Sequence, residues 1–399
     1  MKDVKISDYL WFQEGPGVRN TQYTTSGVKL INVANLVDGN VDLSTSDRYI
    51  SEEEAYGKYN HFLADDGDFV IASSGIKIDY FDKKMGFIKK EHLPLCMNTS
   101  CIRFKVLDTN NLEIKYFMYY LKSNSFKKQL FNQITGSAQL NFGPSHLKKM
   151  TFPLIELKEQ KRIIERLDKT QNIINETKSL LSKYDTLIKS RFIEMFGDPV
   201  LNPKKWNIEK LKTLTSKIGS GATPKGGRES YISEGISLVR SMNVYNGYFE
   251  YDGLAHITEK QARELDNVML QENDVLINIT GASVARCCIL PKDVLPARVN
   301  QHVSILRTTD KLHPVYLSNL LITDTEQRVL LGIGGAGGAT REAITKTELE
   351  TLDIPVPPLP LQNDFATFVH QIDKSKFAVQ KSLEKAETLY KSLMQEYFG

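Results

Sequence analysis

A chain of 399 residues is long for one core and calls for two or three domains. No apolar run approaches the roughly 20 residues that span a bilayer, and the opening stretch MKDVKISDYL lacks the apolar segment of a signal peptide, so a cytoplasmic protein with no membrane contact is expected. The net charge of +3 permits nucleic-acid binding without demanding it, and four cysteines with no CxxC pair argue against a disulfide framework.

In chain order, apolar and β-branched runs at Val28–Val33, Phe69–Ala72 and Cys101–Val106, punctuated by Gly, Asn and Asp, predict short strands. Leu112–Gln133 predicts a helix, with Tyr116, Phe117, Tyr120 and Leu121 at helical spacing. Phe152-Pro153-Leu154 then gives way to a long amphipathic helix that closes on Glu194-Met195-Phe196-Gly197. In the second half, Cys287-Cys288 reads as two buried, inert thiols at the end of a strand rather than a metal or redox site. Pro355-Val356-Pro357-Pro358-Leu359-Pro360 precedes a second long helix, which ends on Glu396-Tyr397-Phe398-Gly399.

These parallels are one duplication. At an offset of 202, Pro153 meets Pro355, Leu157 meets Leu359, Gln160 meets Gln362, and Asn98 meets Asn300. Earlier blocks match at slightly different offsets: Gly27–Ile31, Asn35 and Gly39 with Gly235–Val239, Asn243 and Gly247, then Asp68–Gly75 with Asp274–Gly281. A repeat of about 200 residues has the size of a domain, not of a solenoid unit. The expected fold is therefore α+β and duplicated: a domain over 1–152, a long helix over 153–197, a second domain over 198–354 and a second helix over 355–399.

Both helices carry a heptad seam. In the first it runs through Leu167, Ile174, Leu181 and Ile188, with Thr170, Thr177 and Arg191 as polar members. In the second it runs through Val369, Ile372, Val379 and Leu383, with Lys376 as the polar member. A seam sustained over about five heptads predicts a coiled coil, and about 38 residues make a rod of roughly 55 Å. A duplication invites a pseudo-twofold axis, which makes the pair antiparallel.

Catalytic motifs are missing. There is no GxxxxGK[ST], GxSxG or HExxH, and no His pair at zinc spacing. Gly219–Lys225 lacks a Gly-Lys-Ser/Thr ending, and Gly334–Gly338 reads as a flexible loop. A methyltransferase would show an Asn/Asp-Pro-Pro-aromatic tetrad, which is also absent.

What remains are polar loops suited to nucleic acid. Arg favours guanine edges, Asn and Gln favour adenine, and Ser, Thr and Lys often hold phosphates. The candidates in the first half are Arg19, Asn20, Gln22, Ser73, Ser74, Lys77 and Gln139. In the second half they are Thr223, Lys225, Arg228, Arg240, Thr280, Ser283, Arg286 and Arg341. Any of these could be an ordinary solvated side chain, and Asn35 and Asn243 fit plain turn chemistry before a glycine. The aligned blocks are strands and turns, whereas the polar segments between them diverge, as one scaffold carrying two reading surfaces would.

With this order of parts the chain resembles the specificity subunit of type I restriction–modification systems. The resemblance rests on the duplicated domain, the Pro-Leu-x-x-Leu-x-x-Gln stretch (Pro153 to Gln160, looser at Pro355 to Gln362), the long helix ending in Phe-Gly, the Phe69–Gly75 block and Asn98-Thr99-Ser100. Leu361 stands where the family usually carries Glu before the Gln. The resemblance implies a non-catalytic subunit whose two target-recognition domains each read one half of a bipartite site in double-stranded DNA. It also implies two methyltransferase (modification) subunits and two restriction/translocase subunits as partners, which would carry S-adenosylmethionine, ATP and Mg. The rods would set the spacing of the half-sites and dock the methyltransferase subunits. A structural adaptor with protein-binding domains on a coiled-coil spine is the alternative, but it gives no reason for divergent polar loops.

Overall fold

A computed structural model describes residues 2–134, 140–335 and 343–399, with only the backbone of Leu140 and Arg228. The chain forms two compact units, Met1–Glu176 with Ser382–Gly399, and Thr177–Lys381. Each unit therefore takes part of both long helices.

The two units share one plan. In the first, an antiparallel sheet runs Leu10–Glu14, Cys101–Val106, Phe69–Ala72, Met85–Phe87. In the second, the matching sheet runs Thr215–Ser220, Val303–Thr308, Val275–Asn278, Cys287–Ile289. A three-stranded sheet follows suit, with Leu95–Met97 parallel to Val28–Ile31 in one unit and Ala297–Val299 parallel to Ile236–Val239 in the other. A two-stranded ribbon closes each domain, Lys2–Lys5 with Thr151–Leu154 and Asn207–Lys210 with Asp353–Val356.

The central strands are apolar on both faces because both are covered. In the second unit, Val275 and Ile277 face a core with Tyr316 and Phe365, while Leu276 faces one with Leu238 and Val299. Cys287 and Cys288 split between these cores in the same alternating way. All four cysteines are buried and free. Burial pushes the thiols of Cys96, Cys101 and Cys288 up to about 12, which leaves them inert.

Leu112–Gln133 proves to be two helices, Ile114–Lys122 and Asn124–Gln133. Ser123 breaks the run: its backbone is extended and its hydroxyl caps the second helix by accepting from the Phe126 amide at 3.2 Å.

The long helices span Leu157–Phe196 and Leu359–Phe398. Of the seam, Leu167, Ile174, Ile188, Val369 and Leu383 are buried, and Leu181, Ile372 and Val379 are half-buried. In the first unit, Ile163 and Leu167 share a core with Phe398, and Leu393 and Tyr397 pack against it. In the second, Ile188 and Phe192 share a core with Phe365 and Val369. The start of one rod thus meets the end of the other within each unit, so the pair is antiparallel. The polar seam residue Lys376 is neutralised by Asp185 at 2.6 Å, and the Thr170 hydroxyl donates to the Arg166 carbonyl at 2.8 Å.

The Gln of the shared motif is a latch between domain and rod. Gln160 and Gln362 are fully buried. Gln160 accepts from the Glu113 amide at 2.9 Å and donates to the carbonyls of Asn111 and Ile155 at 2.9 and 2.8 Å. Gln362 does the same with His313 at 2.8 Å, Lys311 at 3.3 Å and Pro357 at 2.8 Å. The glutamate before Gln160 takes no part in this latch, which is why Leu361 serves equally well at the second helix start.

Candidate nucleic-acid interface

Two glycines bring the loop after the edge strand of each four-stranded sheet, Leu10–Glu14 or Thr215–Ser220, against a turn. Gly15 and Gly221 donate their amides at 3.1 Å to the carbonyls of Cys101 and Asn300. An added Cβ would run into the backbone of Asn98 in one case and the Val299 carbonyl in the other. The turn is built by the aligned asparagines. Asn98 accepts from the Thr99 amide at 2.8 Å, and Asn300 from the His302 amide at 3.0 Å. One anchor therefore presents Thr99-Ser100 in the first unit and Gln301-His302 in the second.

The second unit gathers four of its eight predicted residues. Thr280, Ser283 and Arg286 line a cleft of about 460 Å³ together with Ser241 and His302. Thr223 donates its hydroxyl to the Gln301 side-chain Oε1, the Gln301 Nε2 lies 3.2 Å from His302 Nε2, and His302 Nδ1 lies 2.6 Å from the Thr280 hydroxyl. Thr223 and Thr280 are thus joined through a Gln–His relay, which fixes the imidazole at the edge of the cleft. The Arg286 guanidinium stacks over Tyr245 at 4.5 Å, and Tyr245 stacks on Tyr248 at 5.0 Å with the rings 13° apart. Tyr248 is 52% exposed, so this column ends in an open aromatic face. A planar cation on stacked aromatics is the surface on which bases and phosphates are held. Lys225, two residues after Thr223, is exposed.

Arg240 lies apart from the cleft. It packs over Tyr231 at 5.3 Å and donates to the Gly253 carbonyl, so it holds a loop together. Arg341 and Gln139 lie outside the described residues, as does the side chain of Arg228.

The first unit separates its candidates. Gln22 accepts from the Arg19 amide at 3.0 Å and donates to Glu54 at 2.6 Å and to the Tyr59 hydroxyl at 3.1 Å. Gln22 therefore anchors the turn, and Arg19 and Asn20 are its exposed members. Ser73 needs correction: it is fully buried, with no hydrogen-bond partner for its hydroxyl, because it continues the apolar strand Phe69–Ala72. Ser74 is half-buried at the strand edge beside Asn141, and Lys77 is exposed. Asn35 and Asn243 are fully buried turn residues, donating to the carbonyls of Asp42 at 3.1 Å and Glu250 at 2.9 Å. The plain turn reading of those two is correct.

Sequence reasoning missed Gln301, His302, Tyr245 and Tyr248. The first two had a signal: they follow an aligned asparagine and differ from their counterparts. The tyrosines had none, since their stacking depends on a hairpin that pairs Tyr245 with Tyr248.

Among the described residues, no helix is long and apolar enough to cross a membrane. The family described as the type I restriction modification DNA specificity domain matches this chain twice, over residues 19–182 and 203–387. The putative type I restriction enzyme MjaX specificity subunit of Methanocaldococcus jannaschii is 24% identical over 387 residues, covering 92% of this chain and 85% of that one. The EcoKI specificity subunit of Escherichia coli K12 is 21% identical over 360 residues, covering 83% and 74%. In fold, the S subunit of the type I restriction–modification system from M. genitalium superposes with a TM-score of 0.60 at 14% identity, over 100% of this chain and 96% of that one. With two matched domains on a shared plan and the family's model covering most of its length, the chain belongs to the type I restriction–modification DNA specificity family.

Proposed function

We propose that each domain reads one half of a bipartite site in double-stranded DNA, and that this chain contributes sequence choice and no bond chemistry. The observation that carries the reading is the pair of turns on Asn98 and Asn300. Both turns close in the same way, with the Cys101 amide donating to the Asn98 carbonyl at 3.0 Å and the Val303 amide to the Asn300 carbonyl at 3.4 Å, yet they present Thr99-Ser100 and Gln301-His302. A repeated frame with different donors and acceptors at its tip is suited to reading two different base sequences.

In this reading, two modification subunits carry S-adenosylmethionine and methylate adenines taken out of the stack, and two restriction subunits bring ATP and Mg. The rods, each 40 residues long, set the separation of the half-sites and offer the surface on which modification subunits dock. The small net charge of +3 fits a subunit whose partners share the phosphate contacts.

The test is a map of adenine methylation across the host genome with the gene intact and deleted, in a host whose partner subunits are active. Loss of one bipartite motif on both strands is expected. An unchanged map refutes the proposal.

A further inference from the structure

The duplication supplies an internal control for every residue, and one position departs from it sharply. Within the helix Asn124–Gln133, Phe126 is fully buried against Phe81 and Tyr120, with ring centroids 5.6 and 5.8 Å away. Aligning Leu130 with Leu330 places Glu326 of the helix Asp324–Gly335 at that same position. Glu326 is only 3% exposed, and its Oε1 has no hydrogen-bond partner. A carboxylate so placed forfeits its hydration with nothing in return.

Glu326 lines a cavity of about 560 Å³. Its walls are aliphatic, from Val200, Ile208, Val329 and Leu352, and Glu348 and Asp353 add carboxylates. Those two are already occupied: Glu348 accepts from the Thr345 amide at 2.7 Å, and Asp353 pairs with Lys210 at 2.7 Å. Glu326 alone is left without a cation or donor. Asp198 and Asp353 also raise its pKa, which reaches about 7 with burial as the larger cause, so the local field is negative. Aliphatic walls with an unpartnered carboxylate between them match a primary ammonium on an alkyl stem, whose methylenes bury while its three N–H groups find acceptors.

We propose that this cavity is a binding site for a primary alkylammonium group, supplied by a free polyamine or by a lysine side chain of a bound protein. Glu326 is its anchoring acceptor. The site is independent of the DNA-reading loops, and the first repeat, with Phe126 in place of the carboxylate, lacks it.

The experiment is calorimetric titration of the full chain at pH 8 with n-butylammonium chloride, against tetramethylammonium chloride at matched ionic strength. Saturable binding of n-butylammonium is expected, with tetramethylammonium at least about tenfold weaker because it has no N–H to donate. Glu326→Gln keeps the shape and should weaken n-butylammonium binding by about tenfold or more. Glu326→Phe, which copies the first repeat, should abolish it. Spermidine and a short lysine-containing peptide are the arms that separate the two sources: the one that binds more tightly identifies it. Absence of saturable n-butylammonium binding overturns the proposal. So does equal binding of both ammonium ions, or binding that Glu326→Gln leaves unchanged.

Discussion

Replacing Glu326 by Gln should remove most of one pH dependence from the second unit. Burial, then the charges of Asp198 and Asp353, raise this carboxyl from an ordinary value of 4.5 to about 7. Between those values the folded protein holds a proton that the unfolded chain releases. Stability then falls as pH rises, and the contribution is fully present below about 4.5 and lost above about 7. The displacement converts to about 3 kcal/mol as an upper bound. The Gln variant should therefore match the parent near pH 5 and exceed it by up to about 3 kcal/mol at pH 8. Of the chain's two tryptophans, Trp11 lies in the first unit and Trp206 in the second. Guanidinium unfolding in a Trp11→Phe background, followed by Trp206 fluorescence, reports the second unit. Asp198, Glu348, Asp353, Lys210 and Tyr316 surround the site in both proteins. Parallel stability profiles for parent and variant from pH 5 to 8 would refute the reasoning.

Asp274 is fully buried and takes two hydrogen bonds of 2.8 Å from Arg307, so Asp274→Ala should cost about 3–5 kcal/mol in the same assay by stranding the guanidinium. Replacing both partners by Leu and Met should recover most of that loss. Phe398→Ala empties a site against Tyr116, 5.2 Å away, and should destabilise the first unit by about 3–5 kcal/mol. Trp11 fluorescence in a Trp206→Phe background should register the loss, with the second unit's transition unmoved. Grafting the first turn onto the second, as Gln301→Thr with His302→Ser, should alter one half of the methylated motif and leave the other half intact in genome-wide methylation mapping.

Duplication, the strands Phe69–Ala72 and Cys101–Val106, and the rods with their seam were all legible in the sequence, because each is written in periodicity or in internal alignment. The break at Ser123 was not, since a cap residue and a mid-helix serine look alike until its hydroxyl is seen to accept from Phe126. At the candidate interface, residue type pointed to polar loops, yet type alone could not tell a presented side chain from one that holds its own loop. Gln22 and Ser283 are both polar loop residues. Gln22 is spent on Glu54 and Tyr59, while Ser283 lines the cleft. That distinction is set by which partner lies within about 3 Å, and partners 30 or more residues away leave no trace in local sequence.

The repeated Phe-Gly ending acquires its reason from where each phenylalanine goes. Gln160 fastens the start of the first rod to the first domain, through Asn111 and Glu113. The far end of that rod places Phe196 4.8 Å from Tyr316, in the second unit. The second rod reverses this: Gln362 fastens it to the second domain, and Phe398 reaches Tyr116 in the first unit. The two tyrosines are equivalent, each donating its hydroxyl to the matching proline carbonyl, Pro153 at 2.9 Å and Pro355 at 2.7 Å. Each domain core is thus completed by a rod that begins in the other repeat. Shortening a rod by one residue would turn its terminal phenylalanine by about 100° and withdraw it by about 1.5 Å. The seam and the two anchors would then demand different registers. Rod length is held from both ends, which explains why both repeats keep a spacing of 36 positions from the latch glutamine to the terminal phenylalanine, 160 to 196 and 362 to 398.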